Sequence, residues 1–531
     1  MPYVPAIGAG TRLPKEIQDL LSSGIGIERA LTNYFAVRRT RKIFTTRLYK
    51  YETSTSPIGV KLNHNADMFC EPSTNTYAGR DDYQNEGLFQ HWDCNWVLDE
   101  NGFIKITALQ GMPDFRRAGK VDVGVVTMSA FWGVTETDEY YDVHYSDSPN
   151  HAMGLAPIPE SVNPDGTISP WMVHGKYGAG DIDGIPYSSA GLILANGGGA
   201  SGKPINYYNM IAYMHKKGMH YCGTTNSDLL YRQLMMIIKY SKTHSQSVMG
   251  GCTSYSYQYA AVVEETSVNR IIITKVQAAN FFVGGYVSVG DRGTNTSTDR
   301  NNAYMHNKAY TVQVTKIEDV DSVNTAVYVD AAPFDTTATT YISSMPWRTG
   351  STDSVLGSDG SPFSNTNNKN CYKIQGIETS YGAYEVLGNV VMDIVTGEDG
   401  IPKRDVYISK DASTLSTIIT TVRANYKKAG AQVAYTSGEW KYISEHYVDT
   451  DLGIMIPTKT AAGSATGYAD GLLTDTATTG QREWLASGPL LTGASAGLWI
   501  LNAYTSWAYG LWHIVSGVSP NGTRGEWSGV A

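Results

Sequence analysis

Charge is what this chain has little of. Only 17% of its 531 residues are Asp, Glu, Lys or Arg, the formal net charge is −9, and between Trp484 and Thr523 no such residue occurs. No basic stripe is present to neutralise phosphates, which excludes a nucleic-acid footprint. Cysteine is scarce too. The five (Cys70, Cys94, Cys222, Cys252 and Cys371) are odd in number and never spaced CxxC, so they spell neither a disulfide framework nor a zinc site and read as buried free thiols. No stretch holds eighteen consecutive apolar residues, so membrane insertion is not expected. The first sixteen residues, MPYVPAIGAGTRLPKE, lack the basic and apolar regions of a secretory signal, which points to synthesis in a bacterial cytoplasm.

What is present is a globular composition rich in turns. Hydrophobic residues make up 42% of the chain, and 36 tyrosines stand against 11 phenylalanines among 54 glycines. Length and patterning predict an α+β, β-rich multidomain protein. Apolar residues at helical spacing over 14–39, split by Gly24 and Gly26, predict two short helices. Strand-like runs and turn signals fill 43–200. Gly197 to Lys203 superficially matches a phosphate loop, but Pro204 stands where Ser or Thr is needed and removes an N–H, so a flexible hinge is expected there. Helices are predicted at about 207–217 and 227–243, the second with a core stripe of Leu230, Leu234, Ile237 and Ile238 and with Asp228 in its first turn. From 262 to 370 the composition shifts to Thr, Ser, Asn and Val with short strands, an inserted β-domain whose 350–370 segment reads as a return linker. One more helical segment is predicted near 417–428.

Several constellations invite a chemical reading and are outweighed by a plainer one. Glu136, Asp138, Glu139 and Asp142 with His144 have metal or acid–base chemistry, but nothing sets their spacing and a solvated strand end explains them. His91, Trp92 and Asp93 read as core packing. The basic run Arg38, Arg39, Arg41 and Lys42 reads as a solvated helix end. Met210, Met214, Met235 and Met236 read as core filler.

The charge-free end, by contrast, crowds Trp and Tyr among Gly, Ser and Asn. Rigid aromatics among small polar residues supply contact area with few bonds to freeze, the composition of a binding surface. A buried core segment is the alternative. The surface reading predicts Trp499, Ile500, Asn502, Tyr504, Ser506, Trp507, Tyr509 and His513 as ligand-binding residues, with Trp499, Asn502, Tyr504, Ser506, Trp507 and Tyr509 on one exposed face. Leu498, Leu501 and Trp512 would then pack inward.

The frame of this stretch, Ala496-Gly497-Leu498, Asn502, Trp512 and the run from Val518 to Gly525 containing Ser-Pro-Asn-Gly-x-Arg-Gly, resembles the end of the C-type lectin fold of phage receptor-binding proteins. It is the version shared with formylglycine-generating enzymes and with the tropism determinants that diversity-generating retroelements hypermutate. Gly376-Ile377-Glu378, Tyr381-Gly382, Glu385 and Gly388-Asn389-Val390 resemble a further element of that family, without its two closing tryptophans. The resemblance covers about 200–260 and 370–531. It implies a helical virion-attachment segment at 1–60, a β-rich mounting domain at 61–195, a C-type lectin-like receptor-binding domain at 196–261 and 371–531, and the inserted β-domain at 262–370.

In function, the resemblance implies a phage or prophage tail protein at the virion tail tip, a homotrimer that binds a host cell-surface receptor, protein or glycan, and docks on other tail or baseplate proteins. The rivals are a structural tail component without its own receptor and a formylglycine-generating-like oxidase. The oxidase needs paired thiols near its end, and no cysteine follows Cys371. Calcium-dependent sugar binding would need a carboxylate and amide cluster that the charge-free tail lacks, although Glu445, Asp449 and Asp451 lie upstream. No enzymatic activity, metal or cofactor is therefore expected. In the retroelement systems adenine-containing codons vary, and Ile500, Asn502, Ala503, Tyr504, Thr505, Ser506, Ala508, Tyr509 and His513 lie within the residues such codons reach.

Overall fold

A computed structural model describes residues 13–198, 204–300, 302–365 and 368–529. It is a β-rich α+β architecture of several antiparallel sheets. The two predicted N-terminal helices are α1 (Lys15–Ser22) and α2 (Ile27–Ala36), separated by a turn in which Gly24 takes φ +84°, a left-handed conformation that suits glycine. Their apolar face seats Ile17, Leu31, Tyr34 and Phe35, and the last two rings meet Trp92 at 5.4 and 5.8 Å.

Two sheets follow. One has five strands in the order Val60–Asn63, Ile43–Tyr49, Tyr140–Ser146, Phe131–Glu136, Ala156–Pro157. The other has four: Ile104–Leu109, His91–Leu98, Asp122–Met128, Trp171–Gly175. The boundary expected at residue 60 falls inside one sheet, because Ile43–Tyr49 pairs with both Val60–Asn63 and Tyr140–Ser146, Thr46 facing both Lys61 and Val143. The hinge expected at Gly197 to Lys203 has residues 199–203 outside the described set.

Helices α3 (Tyr207–Met214) and α4 (Asn226–Tyr240) come next. Thr225 and Asp228 form a reciprocal capping box at the start of α4, satisfying two N–H groups that helix geometry leaves open. The predicted apolar stripe is there, but all fifteen residues of α4 are buried, the polar ones included. Each polar side chain has a partner: Arg232 meets Glu385 at 2.8 Å, Gln233 Nε2 donates to the Leu498 carbonyl at 2.9 Å, and Lys239 lies 2.8 Å from Asp359 and 2.9 Å from Asp81. The helix packs against Ile43–Tyr49 and Tyr140–Ser146 on one side and Ile454–Lys459 and Gly497–Ala503 on the other. One apolar core therefore runs from Leu13 to Val518, and residues 61–195 do not form a unit apart from 196–261 and 371–531.

A six-stranded sheet holds Gln258–Ala260, Thr340–Ser344, Tyr286–Asp291, Ala309–Asp319, Asn324–Val329 and Arg270–Thr274 in that order. It has its own core of Ile271, Ile273, Val287, Val289, Val327 and Ile342, closed by Trp347, Tyr381, Leu490 and Val515 from outside the sheet. The 350–370 segment is not a solvated linker in its described part. Asp353 and Asp359 are tied to Lys176 and Lys239, and Gly360 bridges to both Ser73 and Lys373.

The last sheet orders Lys427–Val433, Pro402–Ile408, Tyr384–Thr396, Gln481–Ser487, Gly497–Ala503, Gly471–Thr474 and Lys441–Tyr442, with Ile514–Val515 joining Tyr384–Thr396 in parallel. The five cysteines are free, and all but Cys70 are fully buried.

The weaker constellations dissolve into ordinary packing. Asp142 pairs with Arg47, Glu136 pairs with Lys50, and His144 sits between the hydroxyls of Thr45 and Thr135. Asp93 is held by Lys176 at 2.8 Å and Arg117 at 2.8 Å. In the basic run, Arg38 pairs with Glu16, Lys42 pairs with Glu86, and the backbone N–H groups of Thr40 and Arg41 donate to Asp147.

Candidate binding face at the C-terminal strand and loop

The strand Gly497–Ala503 has both edges paired, antiparallel to Gln481–Ser487 and parallel to Gly471–Thr474, with Asn502 opposite Leu485 on one side and Leu473 on the other. Its faces are covered as well. The Leu498 N–H donates to Ser245 Oγ and its carbonyl accepts from Gln233 of α4. The Trp499 N–H donates to Asp470 Oδ2 at 2.8 Å, and its ring lies 5.6 Å from Tyr468. From Leu498 to Ala503 every residue of the strand is buried, and that corrects the predicted face. Trp499 is 2% exposed, Ile500 and Asn502 are buried with it, and Leu498 and Leu501 are buried as expected. The missing charge over these residues reflects an interior strand, where an unpaired charge would be costly.

Beyond Ala503 the chain leaves the sheet and burial alternates. Tyr504, Ser506 and Ala508 face outward, while Thr505 and Trp507 face inward. Asn502 Oδ1 accepts from the Tyr504 N–H at 2.9 Å, turning the chain at the strand end. Ser506 bridges Arg482, and the Thr505 carbonyl accepts from the Glu483 N–H. Trp507, 9% exposed, lies parallel to Tyr207 with centroids 5.8 Å apart, and its carbonyl accepts from the Tyr208 N–H at 3.0 Å. Asn206 caps α3 through the Asn209 N–H and donates to the Ala508 carbonyl. The loop is thereby stapled to the start of α3.

The outward face carries Tyr504 at 49% exposure, Tyr509 at 58% and, from α3, Tyr208 at 45%, with Ser506 and Ala508 beside them. Tyr208 escaped the reading of the sequence. Its signal was the helical pattern Tyr207, Met210, Met214, whose buried side leaves position 208 outside. Trp512 is half-buried against the second core, 5.0 Å from His306 and 5.9 Å from Tyr310. His513, half-buried beside Tyr384, does not join the exposed tyrosines, and burial pushes its imidazole down to about 4.

Two buried carboxylates support this scaffold, and neither was anticipated. Glu483 Oε2 accepts the Tyr207 N–H at 2.9 Å, placing an acceptor at the positive end of α3. Asp470 holds the Trp499 N–H, and a Cβ at Gly497 would collide with its carboxylate, so only glycine fits there. Burial raises the pKa of both well above the carboxylate range.

Chemically, the face offers phenol rings, their hydroxyls and a serine. It can bury aromatic surface and exchange hydrogen bonds. Among the described residues, the groups of three close metal-ligating side chains lie elsewhere. One is Cys70, Asp81 and Asp359, whose centre is served by the Lys239 ammonium; the other is Glu160, His174 and Asp228. The upstream carboxylates do not converge on the tail: Glu445 pairs with Lys459, and Asp449 accepts from the N–H groups of Leu452 and Gly430. Compared with known proteins, the chain matches no protein-family model and no curated protein sequence.

Proposed function

We propose that the chain is a phage or prophage tail receptor-binding protein that attaches the virion to a host cell surface through Tyr208, Tyr504, Ser506, Ala508 and Tyr509. On this reading residues 204–261 and 371–529 belong to a C-type lectin-like domain, and the protein works as a homotrimer docked on other tail or baseplate proteins. The observation that carries the proposal is the alternation at 504–508. Side chains pointing in bind the loop to α3 and the sheet, while those pointing out are free to differ without cost to the core. A binding surface whose side chains vary needs that separation. Were a retroelement to diversify the gene, changes would concentrate at 504, 506, 508 and 509 and spare Trp499, Ile500 and Trp507.

The test is binding of the labelled full chain to a panel of bacterial strains, with Tyr504→Ala and Tyr509→Ala variants alongside. Loss of about tenfold or more for the variants, at unchanged melting temperature, supports the proposal. Binding that both variants retain would place the receptor site elsewhere. If no strain is bound and the chain assembles into tails all the same, the structural-component reading takes its place.

A further inference from the structure

A second site lies apart from the tyrosine face, where the turn Pro159–Ser161, the strand Trp171–Gly175 and the start of α4 meet. His174 comes from the strand and is fully enclosed, its ring stacked on Tyr231 at 4.1 Å. Its Nδ1 lies 3.0 Å from Asp228 Oδ1. Asp228 accepts on both oxygens, Oδ1 from the Asn521 amide and Oδ2 from the Ser519 and Thr225 hydroxyls and the Thr225 N–H. With Nδ1 engaged by Asp228, Nε2 is left buried without a partner.

In the same cluster is Glu160, 3% exposed, and neither of its carboxylate oxygens has a hydrogen-bond partner. The donor atoms of Glu160, His174 and Asp228 lie within 4.8 Å of one another. Arg524 does not close the gap, since one guanidinium nitrogen is spent on Ser227 Oγ and its Nε is unpartnered. Unpartnered polar atoms of Glu160 and His174 thus lie in one buried cluster, which is unfavourable unless a proton or a cation joins them.

We propose that Glu160 and His174 Nε2 bind a divalent transition-metal ion of the zinc or manganese class. A ligand nitrogen with a carboxylate selects that class over calcium or magnesium. The donor atoms of the cluster lie close enough together to share one ion. Asp228 plays the outer carboxylate that orients a ligating histidine. The remaining coordination positions fall to water from the adjoining cavity of about 220 Å³, which Glu160, Trp171, Asn521 and Arg524 line and which gives the ion its way in. The ion's role is to clamp the turn at 159–161 to the strand that carries His174, the strand being tied in turn to α4 and to Asn521 of the C-terminal segment.

The full chain, stripped with chelator, is titrated with zinc and manganese chloride by calorimetry, and metal content is measured after desalting. One equivalent per chain is expected, with a rise in melting temperature. Glu160→Gln, which keeps the shape of the side chain, should weaken binding at least tenfold, and His174→Gln should abolish it. A surface variant, Glu445→Gln, should bind as the parent does. Equal binding by the parent and Glu160→Gln would overturn the proposal. So would the absence of binding together with a Glu160→Gln variant that melts higher than the parent, the signature of a carboxylic acid bridged by water.

Discussion

Trp499 and Tyr504 are five residues apart in one aromatic-rich segment and have opposite roles. The first lies under the sheet against Tyr468 and the second stands in solvent. Replacing Trp499 or Trp507 by Ala should destabilise the fold by about 3–5 kcal/mol, through lost burial and the cavity left behind. The same change at Tyr504 or Tyr509 should cost less than about 1 kcal/mol. Chemical denaturation of the four variants decides this, and equal losses at all four would contradict the assignment of inward and outward positions. A second prediction concerns pH. His446 is buried with Nδ1 unpartnered, and its imidazole is pushed down to about 3 by burial. Above pH 6.5 it is neutral in both folded and unfolded chains and titration contributes nothing. As pH falls below 6.5 the unfolded chain takes up the proton first, so stability drops until the folded value is reached. By pH 5 the loss from this one group is about 2 kcal/mol. The His446→Gln variant should therefore lose correspondingly less between pH 7 and 5; parallel stability curves for variant and parent would refute the prediction.

At the scale of the element, α4 teaches most. Its apolar spacing reads as a helix with one core stripe, Leu230, Leu234, Ile237 and Ile238, to which Arg232, Gln233 and Lys239 do not belong. The structure buries them too, because Glu385, Asp81, Asp359 and the Leu498 carbonyl arrive from segments more than a hundred residues away. A charge in the interior is tolerable only with such partners. Lys239→Met alone should destabilise by about 3–5 kcal/mol, since it strands the buried carboxylate of Asp359 and the partly buried one of Asp81. Combining it with Asp81→Asn and Asp359→Asn should restore much of the loss. Thermal melts of the single and triple variants test this, and a triple variant no better than the single would show that the lysine acts otherwise. The helices at 15–22, 27–36, 207–214 and 419–425 all lie where apolar spacing and glycine breaks place them, because those signals are local.

For the whole molecule, the division of the chain differs from the one that composition suggests. The shift to Thr, Ser and Asn marks a sheet with its own core, and short strands of that kind announce themselves in composition. The continuity of the fold through 60 and 195 left no mark in the sequence, since strand pairing across residue 60 and the packing of α4 on strands from both parts are contacts between distant segments. It follows that residues 1–195 expressed alone should not fold cooperatively, having lost the helix that closes their core. A sharp unfolding transition for that fragment, with dispersed amide resonances, would count against the shared core.

The sequence by itself determined the class of the fold, the positions of its helices, the free state of its cysteines and the identity of the aromatic segment at the end. These follow from periodicity, turn chemistry and composition, which act over a few residues. Only the tertiary structure decided which side of that segment faces water and which partners neutralise the buried charges. Burial is settled by what packs on each face of a strand, and along Gly497–Ala503 both faces are filled by segments remote in the chain. The convergence of Glu160, His174 and Asp228 is hidden in the same way, for no spacing along the chain announces three residues that only the meeting of a turn, a strand and a helix brings together.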